Sequence, residues 1–432
     1  MKRFVPLVAG VLVAASGAAS CVGKVVISGG EDVAPPPAVP EAGRVEAGPL
    51  PDEPYEGWRV LDDYDGCTIH YPGSRAVLPP PIRWQPCGDH SEAATPACRA
   101  MVLDWERRPL AREWIHGAST AFRRADGTLA LMIGRLQDDA TYGVVADVDG
   151  PVLAAARTVP SQCGLAGGRS DGDHYFWTVS NFFVDSALSG AIGGSVTELR
   201  PKVLAREGRG IPVHAAGRPG YLKDFSGIAS WADGSAVATF SPSEPRPGKG
   251  PRFAGDHLLW CNDDGFGVYT LAWGGRTLVF HDGMRSLGTD GTDLVWLEGS
   301  AAGPNGVFTN VRIVTSPFTA DPAQIQRRVL RTDLDGHAAA SNDFVVGCGY
   351  ASRMAYLKRD GANVYGLLLV RVSDGYAWHL PTVPESGFLW QSPLAVTCDE
   401  IFLRGQELDG DGGFRSNIAR VRIDSLGAPM PP

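Results

Sequence analysis

The chain has 432 residues, with 39 Lys and Arg against 48 Asp and Glu, which leaves a net charge of −9. That balance argues against nucleic acid as a partner, because phosphate binding needs a basic face. Hydrophobic residues make up 44% of the chain, enough for a real core, while 54 Gly and 33 Pro punctuate short apolar runs as an all-β fold with many tight turns requires.

Residues 1–20 read as an address. Met1-Lys2-Arg3 is a positive start, and Phe4 to Ala15 is an apolar stretch too short for the ~20 residues that span a bilayer. Small residues follow, and Cys21 comes directly after Ala18-Ala19-Ser20. This is the pattern of a secretory signal peptide. It resembles a lipobox, with Ala18 where Leu is commoner. The resemblance implies cleavage before Cys21 and lipidation of Cys21, and Val22 in place of Asp implies sorting to the outer membrane. A multiply acylated cysteine gives the two-chain attachment that stable anchoring needs. Within 21–56, the stretch GGEDVAPPPAVPEAGRVEAGPLPDEPYE (29–56) is rich in Pro, Glu, Ala and Gly and reads as a disordered tether. Residues 57–432 are expected to form the folded domain.

Export permits disulfides. Of eight cysteines, Cys87 and Cys98 lie close together in PCGDHSEAATPAC and are the first expected bridge. Cys348 and Cys398 occupy similar places in adjacent repeat units and are a second candidate pair. With Cys21 lipidated the remaining number is odd, so at least one thiol is free or pairs with another chain. There is no C-x-x-C and no H-E-x-x-H, and the nine His are scattered, so neither a metal site nor a cofactor is assigned.

Only two segments carry helical signals. They are Thr95 to Arg108, where Thr95 is a candidate N-cap and Pro96 the first helical residue, and Pro322 to Leu330. Short β-rich runs fill the rest, among them Tyr175 to Val179, Asp293 to Trp296 and Val364 to Val370. Asp-Gly recurs between them, and this dipeptide suits type I′ hairpin turns, whose central residues both need positive φ.

Several turn-strand units look like copies: SDGDHYFWTVS (170–180), AGDHLLWCND (254–263), TDGTDLVWLEG (289–299), SNDFVVGCGY (341–350) and TCDEIFLRG (397–405). Aligned at Asp173, Asp256, Asp293, Asp343 and Asp399 they are 83, 37, 50 and 56 residues apart, the first gap counting as two units. ADGTLALMIG (125–134) and ADGSAVATFS (232–241) fit as looser copies. A period of ~40–50 residues with four short strands per unit predicts a β-propeller, seven-bladed in the first instance, with six or eight as alternatives. The units resemble TolB-like propeller repeats and those of uncharacterised propeller lipoproteins of Gram-negative bacteria, over roughly 115–428. That resemblance implies an architecture and not an activity.

No catalytic residue is assigned. Gly168, Ser170 and Gly172 match G-x-S-x-G, but a nucleophile elbow needs a strand-turn-helix, and here a β-run follows. The carboxylates of 333–336 and 409–413 lack full calcium-loop spacing and read as turns. The Asp-Gly turns depart from the order of sialidase Asp boxes. Trp177, Trp260 and Trp296 read as core between blades. The layout of anchor, tether and repeats therefore favours an envelope lipoprotein whose propeller is a binding or scaffold module for a protein, peptide or glycan. The alternative is a secreted propeller hydrolase or lyase acting on glycans, with His174, His257 and His281 the first residues to inspect.

Overall fold

A computed structural model describes residues 57–64, 66–87, 98–102, 114–115, 120–124, 126–137, 140–160, 163–170, 174–181, 189–205, 211–215, 218–223, 227–230, 236–239, 252–254, 257–261, 268–272, 276–279, 284–301, 308–318, 324–334, 344–359, 362–381, 388–408 and 414–432. The described residues are nearly all β, and their strands form seven antiparallel sheets.

Five sheets are simple meanders of four consecutive strands. They are β10–β13 (Cys163–Ser170, His174–Asn181, Ser189–Ser195, Lys202–Ala205), β14–β17 (Ile211–Ala215, Arg218–Lys223, Gly227–Ser230, Ala236–Thr239) and β18–β21 (Arg252–Ala254, His257–Cys261, Val268–Ala272, Arg276–Val279). Then come β22–β25 (Met284–Thr289, Asp293–Ala301, Phe308–Pro317, Arg328–Arg331) and β26–β29 (Val345–Gly347, Tyr350–Arg359, Ala362–Arg371, Ala377–Pro381).

The first and last sheets are larger, because the N-terminal strands join both. β1 (Trp58–Tyr64) and β2 (Cys67–Pro72) add to the outer edge of the first sheet. That sheet otherwise comprises β5 (Trp114–Ile115), β6 (Thr120–Arg123), β7 (Leu129–Gln137), β8 (Ala140–Asp147) and β9 (Val152–Val159). The chain then crosses to the last sheet. There β4 (Cys98–Val102) lies beside β32 (Phe414–Arg422), outside β31 (Glu400–Leu408) and β30 (Phe388–Val396), and β3 (Arg83–Pro86) lies beyond β4.

The sheets close into a ring. The leading strands touch from one sheet to the next, β10 to β14, β14 to β18, β22 to β26 and β26 to β30, while β20 meets β22 and β30 returns to β6. The cores lie between sheets, since each sheet is too small to shelter its own apolar faces. Leu131, Ile133 and Val144 of the first sheet pack with Met101, Phe402 and Ile418 of the last. Met132 and Val145, on the opposite face of the first sheet, pack with Leu165, Tyr175 and Trp177 of the second. Radial meanders with shared cores and a closing N-terminal strand are a β-propeller.

Both helical expectations fail. Cys98–Val102 is a strand that pairs with β3 on one side and β32 on the other, and Thr95 and Pro96 lie outside the described residues. Arg328–Arg331 is the outer strand β25, paired with β24. Nonlocal pairing overrode weak local signals in both places.

The repeat alignment shifts at two copies. Asp173, Asp256 and Asp399 directly precede the second strands β11, β19 and β31, Asp293 opens β23, and the turn at Asp126-Gly127 comes before β7. Asp343 instead precedes the leading strand β26, so the corresponding turn of that sheet is Cys348-Gly349. The Asp-Gly of 232–241 lies between β16 and β17, one hairpin further on.

Candidate functional site at the ring closure

Disulfides concentrate where the N-terminal strands clasp the ring. Cys67 on β2 is bonded to Cys163 at the start of β10, which ties the N-terminal hairpin of the first sheet to the second. Cys87 is bonded to Cys98 across the hairpin that carries the closing strand β4. Cys348 and Cys398 join equivalent turns of the last two sheets.

Between the last sheet and the first lies a cleft of about 230 Å³ lined by Thr128, Asp147, Asp149, Glu400 and Phe402 among others. Arg420 reaches across it from β32, 2.8 Å from Asp149 on the β8–β9 turn and 3.7 Å from Glu400, with its guanidinium 4.7 Å from the Trp84 ring centroid. The Trp84 indole N–H donates to the Val148 carbonyl at 2.9 Å, and Arg124 pairs with Asp147 at 3.1 Å. Burial, aided by the charges of Asp149 and Asp399, raises the Glu400 carboxyl above its ordinary value despite Arg420. The charges here are engaged with one another across two sheets, so the cleft works as a polar seam that joins them.

The second concavity, of about 630 Å³, lies on the rim between the first and second sheets. Its floor is Leu61, Leu199, Pro201 and Val203, and its sides carry Glu198, Arg200 and Lys202. It opens between two edge strands, β1 and β13, each the last of its sheet. Tyr175 supports this wall from within. It is 1% exposed, its hydroxyl lies under Gly194 and Pro201 with no hydrogen-bond partner, and burial pushes its pKa far up.

Behind β1, under the 73–82 crossover, lies a buried polar cluster. Arg157 sits 5.4 Å from the Trp58 ring centroid and pairs in register with His70. His70 is 8% exposed, and burial, with a smaller push from Arg157, lowers its pKa to about 4. The imidazole is therefore neutral when folded, whereas in the unfolded chain it titrates near 6.5. Above pH 6.5 it is neutral in both states and contributes no pH dependence. Between 6.5 and 4 only the unfolded chain takes up the proton, so stability falls by about 2–3 kcal/mol and levels off below 4. Urea titrations of wild type and His70→Gln across that window test this. The variant loses the extra slope, and identical slopes refute the assignment.

The other sequence candidates fall as follows. Gly168 and Ser170 lie on β10, and Ser170 pairs with Tyr175 of the next strand, so a strand follows the motif where an elbow needs a helix. Trp177 and Trp296 are each 1% exposed in the core. The side chain of Trp260 lies outside the described residues. His174 and His257 begin the second strands of their sheets, away from the leading strands that line the axis, and His281 lies outside the described residues. Asp333 pairs with Arg331, while 409–413 are outside the description. Among the described residues no group of three or more His, Cys, Asp or Glu is placed to hold a metal, and no helix is long and apolar enough to cross a membrane.

No family model and no curated protein matches the chain. Solved structures do. The β-propeller domain of the Trilobed protease from Pyrococcus furiosus, described as having an open velcro topology, aligns with 74% of this chain and all of its own at 10% identity and a TM-score of 0.45. An acylaminoacyl peptidase aligns at 9% identity and TM-score 0.46 over 74% of this chain, which spans about half (52%) of that peptidase. Virginiamycin B lyase from Staphylococcus aureus aligns at 14% identity and TM-score 0.40, over 72% of this chain and 98% of its own. The fold assignment rests on the strand topology itself.

Proposed function

We propose that the chain is an envelope lipoprotein, with signal peptide 1–20, lipidated Cys21, tether 21–56 and a propeller over 57–432 whose repeats, over roughly 115–428, are TolB-like. In this reading the propeller is a binding or scaffold module that presents its loop face to a protein, peptide or glycan. The observation that carries it is the set of disulfides in the sheets on either side of the ring closure. Three bridges among the described residues suit an oxidising compartment outside the cytosol, which is where the leader would deliver the chain. A ring clasped by its own N-terminal strands is also a rigid support whose turns can vary without loss of the core.

Cys21→Ser tests the anchor. The substitution is expected to move the protein from the membrane to the soluble fraction, and unchanged detergent partitioning removes the anchor from the reading. For the module, the purified chain is passed through a hydrolase and lyase screen. Turnover that a single loop carboxylate substitution abolishes would replace the binding module with an enzyme.

A further inference from the structure

The rim beside β1 carries a cluster of four exposed cations. Arg59 of β1 pairs in register with Tyr71, and the Arg200 guanidinium sits 5.7 Å from the centroid of that same ring. Arg75 donates to the Thr197 carbonyl at 3.0 Å, three residues before Arg200, and Lys202 follows two residues later. All four cations are exposed. Among the described residues, no carboxylate is paired with any of them. Seven other described arginines are each engaged by a carboxylate: Arg124 by Asp147, Arg312 and Arg327 by Glu298, Arg331 by Asp333, Arg371 by Asp374, Arg420 by Asp149 and Arg422 by Asp424. Glu198 is the one acidic side chain lining the adjoining groove. In a chain of net charge −9, four unpaired cations on one corner form a local field of opposite sign.

We propose that this corner, Arg59, Arg75, Arg200 and Lys202, docks on anionic lipid headgroups and sets the rim of the propeller against the membrane. The inference rests on the anchor reading above, because Gly57, where the segment that follows Cys21 enters the domain, is at the same corner. Its carbonyl accepts from the Gly73 N–H at 2.8 Å, and Gly73 lies under Arg59. An acyl anchor on that segment holds the corner near the bilayer surface, where each cation near anionic lipid strengthens attachment and a cluster of four is enough to matter. Rim-down docking leaves both loop faces of the ring free.

The test uses the full mature chain carrying Cys21→Ser, which has no acyl group, so its result is independent of whether the native protein is lipidated. Co-sedimentation is measured with vesicles of phosphatidylcholine alone and with about one-third phosphatidylglycerol, at about 0.1 M salt. Binding to the anionic vesicles alone is expected. Arg200→Glu with Lys202→Glu is expected to weaken it at least about tenfold. Arg83→Glu with Arg99→Glu, an equal charge change on exposed residues of the last sheet, should leave it nearly unchanged. Thermal melts of both variants confirm that they fold. Equal binding to both vesicle types, or equal losses in the two variants, overturns the proposal. So does one further outcome, in which the chain ignores vesicles until Asp52→Asn, Glu53→Gln and Glu56→Gln are introduced. The acidic segment ahead of Gly57 would then be the occupant of the corner.

Discussion

Replacing Cys67 and Cys163 together with alanine is expected to cost about 4–5 kcal/mol of unfolding free energy. The two residues are 96 apart, so the bridge removes a long loop from the unfolded ensemble, and the chain-entropy relation gives about that figure. Both cysteines are essentially buried, at 1% and 0% exposure, and alanine avoids leaving an unsatisfied hydroxyl there. The Cys87–Cys98 bridge closes a separation of only 11 and should be worth about 3 kcal/mol by the same relation. Denaturant unfolding of the two double variants under non-reducing conditions measures both. Equal losses, or a smaller loss at 67/163, would mean that the bridge does not constrain the chain as its position implies.

Trp177→Ala is expected to cost about 3–5 kcal/mol, as truncation of a fully buried aromatic does. Trp177 fills the core between the first and second sheets and lies against Tyr175 with ring centroids 4.8 Å apart. Its tight fit is visible at Gly143 on β8, where an added Cβ would come within 2.8 Å of the indole. Gly143→Ala alone should therefore cost about 1–3 kcal/mol through overpacking. In a Trp177→Ala background the same change should cost almost nothing, because the obstructing ring is gone. A double-mutant cycle measures this coupling. Additive losses would show that the two sheets do not meet through this contact.

The architecture was legible because its signals are local. Asp-Gly turns before β7 and β23 mark hairpins directly, and four-strand meanders recur at a spacing that chain order preserves. The two misplaced copies, at 341–350 and 232–241, have turn residues typical of any hairpin, so composition could not say which hairpin of the unit each belonged to. What stayed hidden depends on distant pairing. β4 belongs to the last sheet, and nothing near residue 98 points to Val421, its partner in register. Cys67 and Cys163 have no shared motif, unlike Cys87 and Cys98, which lie in one short loop. The rim cluster draws on residues 59, 75, 200 and 202, which meet only because β2 and the β12–β13 turn come together around Tyr71.

The clasp also sets an order of events during synthesis. Because the chain is made from its N-terminus, Cys98–Val102 is in place well before its neighbour Phe414–Arg422. The early strand must keep its unsatisfied edge away from wrong partners until that neighbour follows. Truncation from the C-terminal end should therefore strand that early segment without a mate, so the damage would appear at both extremities of the molecule at once.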